Sequence, residues 1–220
     1  MSEAQLRETI CHIGRLMHQF TLVDGTSGNI SVRLGEDRVL VTPSGVGKGQ
    51  MTPDQLIIID MDGIKVGDGT PDYLKPTSET PMHLEAYKQR SDVNAVIHAH
   101  PTYAVALTIA GLDLQTYTIP EAIISLGHVP TTPYSTPASL ENRDAICELI
   151  RDHDSILLSY HGSLTVGVDL WAAYYRLEML EHTAKLIYLV HQLGGGQPLP
   201  AHQIEKLVKL QGVYNTVQIT

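Results

Sequence analysis

Long apolar runs, basic blocks, cysteines and bulky aromatics are all scarce in this 220-residue chain. Apolar runs such as Leu56–Ile59 last only a few residues. A membrane-spanning helix needs about 20, so no membrane partner is expected. The start, Met1-Ser2-Glu3, carries neither a basic stretch nor an apolar one, and no signal peptide is expected. Lys and Arg total 15 against 24 Asp and Glu, a formal net charge of −9. With no basic block, a nucleic-acid partner is not expected either. One phosphate can still be held, because local dipoles do that work. Cys11 and Cys147 are the only cysteines and neither has a CxxC neighbour. A disulfide framework is therefore not expected, and a reducing cytoplasm is. Walker A, GxGxxG and GxSxG patterns are missing, so nucleotide binding and serine hydrolysis gain no support.

What is present suits one globular domain over residues 1–220. Hydrophobic residues make up 43% and charged residues 18%, with 11 histidines and 18 glycines. Leu6, Ile10, Ile13 and Met17 share one face of a helix over Glu3–Gln19 that Ser2 can cap. Asn29–Leu34 and Arg38–Thr42 read as a hairpin, and Leu56–Asp60 as a strand. Thr77 or Ser78 can cap a helix from about Glu79 to Arg90. Val93–His98 reads as a buried strand, Pro101–Ala110 as a helix and Thr116–Ile119 as a short strand. Pro137–Asp152 reads as a helix, then Ser155–Ser159 and Ser163–Val168 as strands. Leu170–Leu193 is the longest helix, closed by three glycines at 194–196, and a weaker one covers Ala201–Leu210. Several strands are joined by short turns, which excludes pure βαβ winding. The fold class expected is α/β, a mixed and mainly antiparallel sheet with helices on both faces.

The sharpest chemical signal is His98-Ala99-His100-Pro101. On a strand, residues i and i+2 share a face, so both imidazoles can reach one metal ion at the strand end. Two hydrogen-bonded histidines at a strand end fit the same pattern. A third ligand must come from elsewhere, and His161 in Tyr160-His161-Gly162 is the candidate. Glu79 fits either a first-turn residue that stabilises the helix dipole or a general base beside the metal. Three small-residue loops, 26–29, 42–45 and 77–78, offer hydroxyls and open backbone N–H groups to a phosphate. Each also fits an ordinary turn or cap. His12, His18, His128, His153, His182, His191 and His202 read as surface or loop residues, and His83 as a helix-surface or second-layer residue. Trp171, Tyr174, Leu177, Met179 and Leu180 read as core or subunit contact.

Taken in order, GTSGN (25–29), TPSG (42–45), PTSE (76–79), HAHP (98–101) and YHG (160–162) resemble the class II sugar-phosphate aldolase and adducin family. The resemblance covers nearly the whole chain. It implies a three-layer α/β/α sandwich, commonly a homotetramer with sites between subunits. It implies a zinc site, or one for manganese or cobalt, at His98, His100 and His161, with Glu79 as acid/base and as a ligand before substrate arrives. It implies phosphate contacts at Gly28, Asn29, Ser44, Gly45, Thr77 and Ser78. The expected activity is aldol cleavage of a small ketose 1-phosphate to dihydroxyacetone phosphate and an aldehyde. Dehydratase, epimerase or decarboxylase chemistry is the alternative, and a non-catalytic adducin-like module the third reading. The epimerase pattern resembles an aspartate where Glu79 stands. The tyrosine that fuculose-phosphate aldolases place after HxH falls on Ile119, with Tyr117 off register. Glu121 and Tyr214 are the other candidates for an acid at the aldehyde end.

Overall fold

A computed structural model describes residues 1–67, 69–114 and 116–211. Helix α1 (Glu3–Gln19) starts as expected. The Ser2 hydroxyl accepts from the Gln5 backbone N–H, and the Gln5 side chain accepts from the Ser2 backbone N–H. Two donors that a helix start leaves open are thereby satisfied.

Six strands follow: β1 (Asn29–Arg33), β2 (Arg38–Val41), β3 (Ile57–Asp60), β4 (Ala95–Ala99), β5 (Ser155–Leu158) and β6 (Gly162–Gly167). They form one sheet in the order β3-β2-β1-β4-β6-β5. Every neighbouring pair is antiparallel, and the one isolated parallel bridge among the described residues joins Thr131 to Leu157 of β5. The other helices are α2 (Thr80–Gln89), α3 (Thr102–Ile109), α4 (Pro120–Ser125), α5 (Leu140–Cys147), α6 (Leu170–Gln192) and α7 (Ala201–Val208). None of the described helices is long and apolar enough to cross a membrane. Both cysteines are free thiols.

The period-two pattern of the strands sorts their side chains onto two faces. Ile30, Val32, Leu40, Ile58, Ala95, Ile97 and Ala99 pack with Ile10, Ile13 and Met17 of α1 and Leu170, Tyr174 and Leu177 of α6. Val39, Val41, Ile57, Ile59, Val96 and Leu164 pack with Met82, Ala86 and Tyr87 of α2 and Ile146 of α5. This is the expected three-layer sandwich. A third cluster joins α3 and α4 to Leu157 and to Leu180 and Ala184 of α6.

Three expectations need correction. Thr116–Ile119 is no strand: Thr116–Thr118 is a 3-10 turn that leads into α4. Pro120 fixes its own φ and lacks an N–H, which suits a first helical residue and not a sheet. The helix read over Pro137–Asp152 is shorter. Ala138 has φ +58°, which a continuing right-handed helix cannot hold, so α5 begins at Leu140 and a 3-10 turn, Leu149–Arg151, follows it. Helix α2 begins at Thr80, and Glu79 itself occupies the capping position. The Thr77 hydroxyl accepts from the Glu79 backbone N–H at 3.3 Å, so it stabilises the turn before the helix and does not cap it.

Candidate metal centre

Strand β4 is central, paired to β1 on one side and to β6 on the other. The register places His98 beside Asn29 of β1 and beside Leu164 of β6. His100 follows one residue past the end of β4. Its backbone N–H bonds to the Leu22 carbonyl at 3.0 Å, which fixes its exit direction. His161 comes from the turn between β5 and β6. There Tyr160 takes φ +60°, unusual for a bulky residue. Gly162 follows because nothing larger fits: a Cβ on it would lie 2.2 Å from the Ala99 carbonyl oxygen, 3.0 Å from His100 Cδ2 and 3.1 Å from His98 Cε1.

These elements bring Glu79, His98, His100 and His161 together, each offering one ligand atom within 4.8 Å of the others. The imidazole centroids form a triangle with sides of 4.7, 4.8 and 4.9 Å. His98 Nε2 lies 2.9 Å from His100 Nε2 and 3.0 Å from Glu79 Oε2, and His161 Nε2 lies 3.5 Å from Glu79 Oε1. Donor atoms around a tetrahedral zinc at ~2.1 Å stand about 3.4 Å apart, so these separations bracket that spacing.

Hydrogen bonding shows why a cation fits. His98 Nδ1 lies 2.9 Å from the Ser163 carbonyl oxygen, which can only accept. Nδ1 therefore carries a proton, and Nε2 is the nitrogen turned to the Glu79 carboxylate. A separation of 3.0 Å between that nitrogen and a carboxylate oxygen calls for a proton or a metal cation between them. A backbone carbonyl holding the far N–H is also the usual brace of a metal-ligating histidine. His161 has no such brace: its Nδ1 is buried without a hydrogen-bond partner.

Burial lowers the pKa of His100 to about 4, helped by His98 and His161, and that of His161 to about 4, helped by His98. Both imidazoles are therefore neutral near pH 7, the form that binds metal. Burial alone would raise the Glu79 carboxyl. His98, the Asn29 hydrogen bond and His161 outweigh it and hold the group well below the usual carboxylate range.

Glu79 is held from two sides. Asn29 Nδ2 donates to Oε2 at 2.9 Å, and Asn142 Nδ2 to Oε1 at 3.3 Å. Asn142, 1% exposed on α5, was not legible in the sequence, because a lone Asn on a short helix carries no pattern. Of its two readings, His83 fits the second-layer one and not the helix-surface one. It is fully buried, one helical turn past Glu79.

The three small-residue loops are neighbours. Thr77 N–H donates to the Thr42 carbonyl and Ser44 N–H to that of Lys75. These amides are spent, but the hydroxyl-bearing residues Ser44 and Ser78 remain exposed, as does Gly45 with φ +73°. Gly28 takes φ +72° in a place where a Cβ would strike Val23 at 2.5 Å. The Asn29 side chain lies between Glu79 and His83. Lys48, 2% exposed, donates to the carbonyls of Thr26 at 3.0 Å and Val46 at 2.7 Å and so ties loop 26–29 to the end of loop 42–45. Burial lowers its pKa to about 8. Ile119 packs against the third apolar cluster, while Tyr117 and Glu121 are exposed. Tyr214 lies outside the described residues.

Fold and cluster together define an α/β/α sandwich that converges three imidazoles and a carboxylate beside hydroxyl-rich loops. The model of the "Class II Aldolase and Adducin N-terminal domain" matches residues 8–188. The chain belongs to that family. It is 35% identical over 184 residues to L-fuculose phosphate aldolase of Methanococcus maripaludis, covering 84% of this chain and 95% of that one. It is 32% identical over 193 residues to 3-oxo-tetronate 4-phosphate decarboxylase of Haemophilus influenzae, covering 86% and 89%. Its fold superposes on the crystal structure of YgbL from Escherichia coli with a TM-score of 0.86 at 31% identity, covering 94% of this chain and 99% of that one. It is thus an enzyme-family domain of sugar-phosphate metabolism.

Proposed function

We propose that this protein is a metal-dependent aldolase acting on a small ketose 1-phosphate. L-fuculose 1-phosphate or a 5-deoxy- or methylthio-pentulose 1-phosphate is the substrate, and dihydroxyacetone phosphate and an aldehyde are the products. The observation that carries this reading is the convergence of Glu79 with His98, His100 and His161 within 4.8 Å. Those four residues would hold the metal: zinc by its N and O donor set, with manganese or cobalt as substitutes. When bound, the ion supplies Lewis-acid charge to the ketone and neighbouring hydroxyl oxygens as the C3–C4 bond breaks.

The residues of the chain do the rest. Ser44, Gly45, Thr77 and Ser78, with Gly28 and Asn29, hold the phosphate and so fix the reacting carbons against Glu79. Asn29 serves through its backbone and its remaining amide N–H. Cleavage moves the C3–C4 electron pair toward the ketone oxygen as the C4 hydroxyl proton passes to water at the aldehyde end. Glu79 takes up a proton from water and delivers it to C3. Its pKa is low because His98, the Asn29 N–H and His161 favour its charged form over the effect of burial. Ile119 leaves the aldehyde end without the family tyrosine. We take the working form to be a cytoplasmic homotetramer in which a neighbour completes that end.

Decarboxylation of a related sugar-acid phosphate is the second reading, favoured by the Haemophilus influenzae relative. Loss of carbon dioxide leaves the same electron pair beside a ketone, so the same residues serve. Zinc-loaded protein incubated with a panel of ketose 1-phosphates and a coupled dehydrogenase tests the choice. Metal-dependent triose-phosphate release supports the aldolase. Carbon dioxide release from a 3-oxo-acid phosphate, with no cleavage of any ketose 1-phosphate, refutes it.

A further inference from the structure

Between α2 and β1 runs a line of buried polar side chains. Glu79 at the cap of α2 and His83 and Tyr87 within it are spaced by four residues and line one side. On β1, Asn29 and Ser31 are spaced by two and share one face. Four residues of helix advance ~6.0 Å and two of strand ~6.6 Å, so the rows stay in step. The result is one continuous series of contacts. Tyr87 OH lies 2.8 Å from Ser31 Oγ, Ser31 Oγ 2.7 Å from His83 Nδ1, His83 Nε2 2.5 Å from Asn29 Oδ1, and Asn29 Nδ2 2.9 Å from Glu79 Oε2.

The direction of every bond in the series follows from its end. The Glu79 carboxylate can only accept, so the NH2 of Asn29 must face it. Asn29 Oδ1 then faces His83 and can only accept, so His83 Nε2 must carry a proton. Burial lowers the pKa of His83 to about 3, so the ring is neutral and Nδ1 is bare. Ser31 must donate to Nδ1, and Tyr87 must donate to Ser31. No bond can be reversed without setting two acceptors or two donors against each other, which in a buried site costs the full desolvation of both groups.

We propose that His83 is a positioning residue: fixed in its Nε2–H form by Ser31, it sets the amide orientation of Asn29 and through it the orientation of the Glu79 carboxylate. The inference rests on the aldolase reading for its kinetic consequence, though not for its geometry. The His83 ring bonds to Asn29 and Ser31, its backbone N–H bonds to the Glu79 carbonyl at 3.4 Å, and it reaches the Glu79 carboxylate through Asn29.

Long-range proton–nitrogen NMR correlation on 15N-labelled protein, metal-free and zinc-loaded, reads the tautomer directly. The expected result in both forms is a neutral His83 with its proton on Nε2. A proton on Nδ1, or on both nitrogens, overturns the inference. Ser31→Ala is expected to leave a mixture of tautomers, and an unchanged single tautomer there overturns the part given to Ser31. In turnover, His83→Leu is expected to lower kcat by about 10–100-fold, with KM and zinc content within about twofold. His83→Gln, which carries an N–H for Asn29 and a carbonyl for Ser31, is expected to recover most of the loss. Equal loss in both variants marks a merely structural role and overturns the proposal. If His83→Leu fails to fold, the wild-type tautomer and His83→Gln still decide. The expected tautomer in a protein that releases no triose phosphate overturns the aldolase reading and supports the positioning chain.

Discussion

Gly162→Ala is the sharpest perturbation of the proposed centre, because it touches no donor atom. The added methyl would stand 2.2 Å from the Ala99 carbonyl oxygen and about 3 Å from both His98 and His100 rings. Ala99 sits between the two histidines on the strand that carries them, and backbone cannot swing aside as a side-chain tip can. Restoring a normal contact requires β4 and β6 to part locally by ~1 Å. Metal ligands tolerate only about 0.2 Å of displacement. Overpacking of this kind costs ~1–3 kcal/mol, which for a chain of this size lowers the thermal midpoint by roughly 2–12 °C. Zinc affinity is expected to fall at least tenfold, read by competition with a chromogenic chelator. Gly35→Ala is the control: Gly35 has φ +86° but no neighbour within 4 Å of its Cβ. It should cost ~1–2 kcal/mol of backbone strain and leave zinc affinity unchanged. Wild-type zinc affinity in Gly162→Ala would refute the placement of the metal between these strands.

Three further outcomes are expected. His98→Ala should lose bound metal with the fold retained, whereas Glu79→Gln should keep metal and lose most turnover; metal analysis with steady-state kinetics on both separates ligand from proton carrier, and near-normal turnover in Glu79→Gln would refute the latter role. Metal-free protein should lose about 2–4 kcal/mol between pH 7.5 and 5.5, followed by denaturant titration. His83, His100 and His161 have depressed values near 3, 4 and 4, so acidification protonates them in the unfolded chain first, and their contribution, complete above about 6.5, is lost as pH falls. Flat stability across that window would refute their neutral burial. Lys48→Met removes the tie between loops 26–29 and 42–45, and should cost ~1–3 kcal/mol and raise KM for a sugar phosphate without changing metal content, as calorimetry and kinetics would show; an unchanged KM would detach Lys48 from the phosphate loops.

The layers of the fold were legible because period-two strands and long amphipathic helices announce themselves. Asn29–Leu34 and Arg38–Thr42 were found within a residue, and α1 from Glu3 to Gln19 in full. The Glu79, His98, His100 and His161 cluster that could hold a metal was legible through HxH and the ordered motifs. What failed was local and had local causes. Ala138 with φ +58° gives no warning in its residue type, and the β-branched run Thr116–Ile119 was overruled by the proline after it. Asn142 was missed, and His83 stood between a surface and a second-layer reading, because their roles depend on what packs against them, and a single helix sequence does not state that. The spacing of Glu79 to His83 was visible, but only β1 opposite it gives that spacing meaning.

A buried sheet face should be apolar, yet the strip where β1 and β4 meet α2 carries Asn29, Ser31, His98, Glu79, His83 and Tyr87. Such groups stabilise nothing unless each is paired. They are paired in one line until the line reaches the cluster, where a carboxylate, His98 Nε2 and two imidazoles that burial keeps neutral converge. Protons are poor occupants there, since burial disfavours charging His100 and His161. A divalent cation supplies the charge without protonating any ligand. Metal removal should therefore destabilise this strip before the rest of the sheet. At a thousandfold excess over its Kd the ion contributes ~4 kcal/mol, so EDTA should lower the thermal midpoint by roughly 8–16 °C. Hydrogen exchange should quicken first at the amides of β1 and β4 around Asn29 and His98. If the midpoint and the exchange pattern both survive chelation, the cluster holds protons instead, and the physical case for a resident metal is lost.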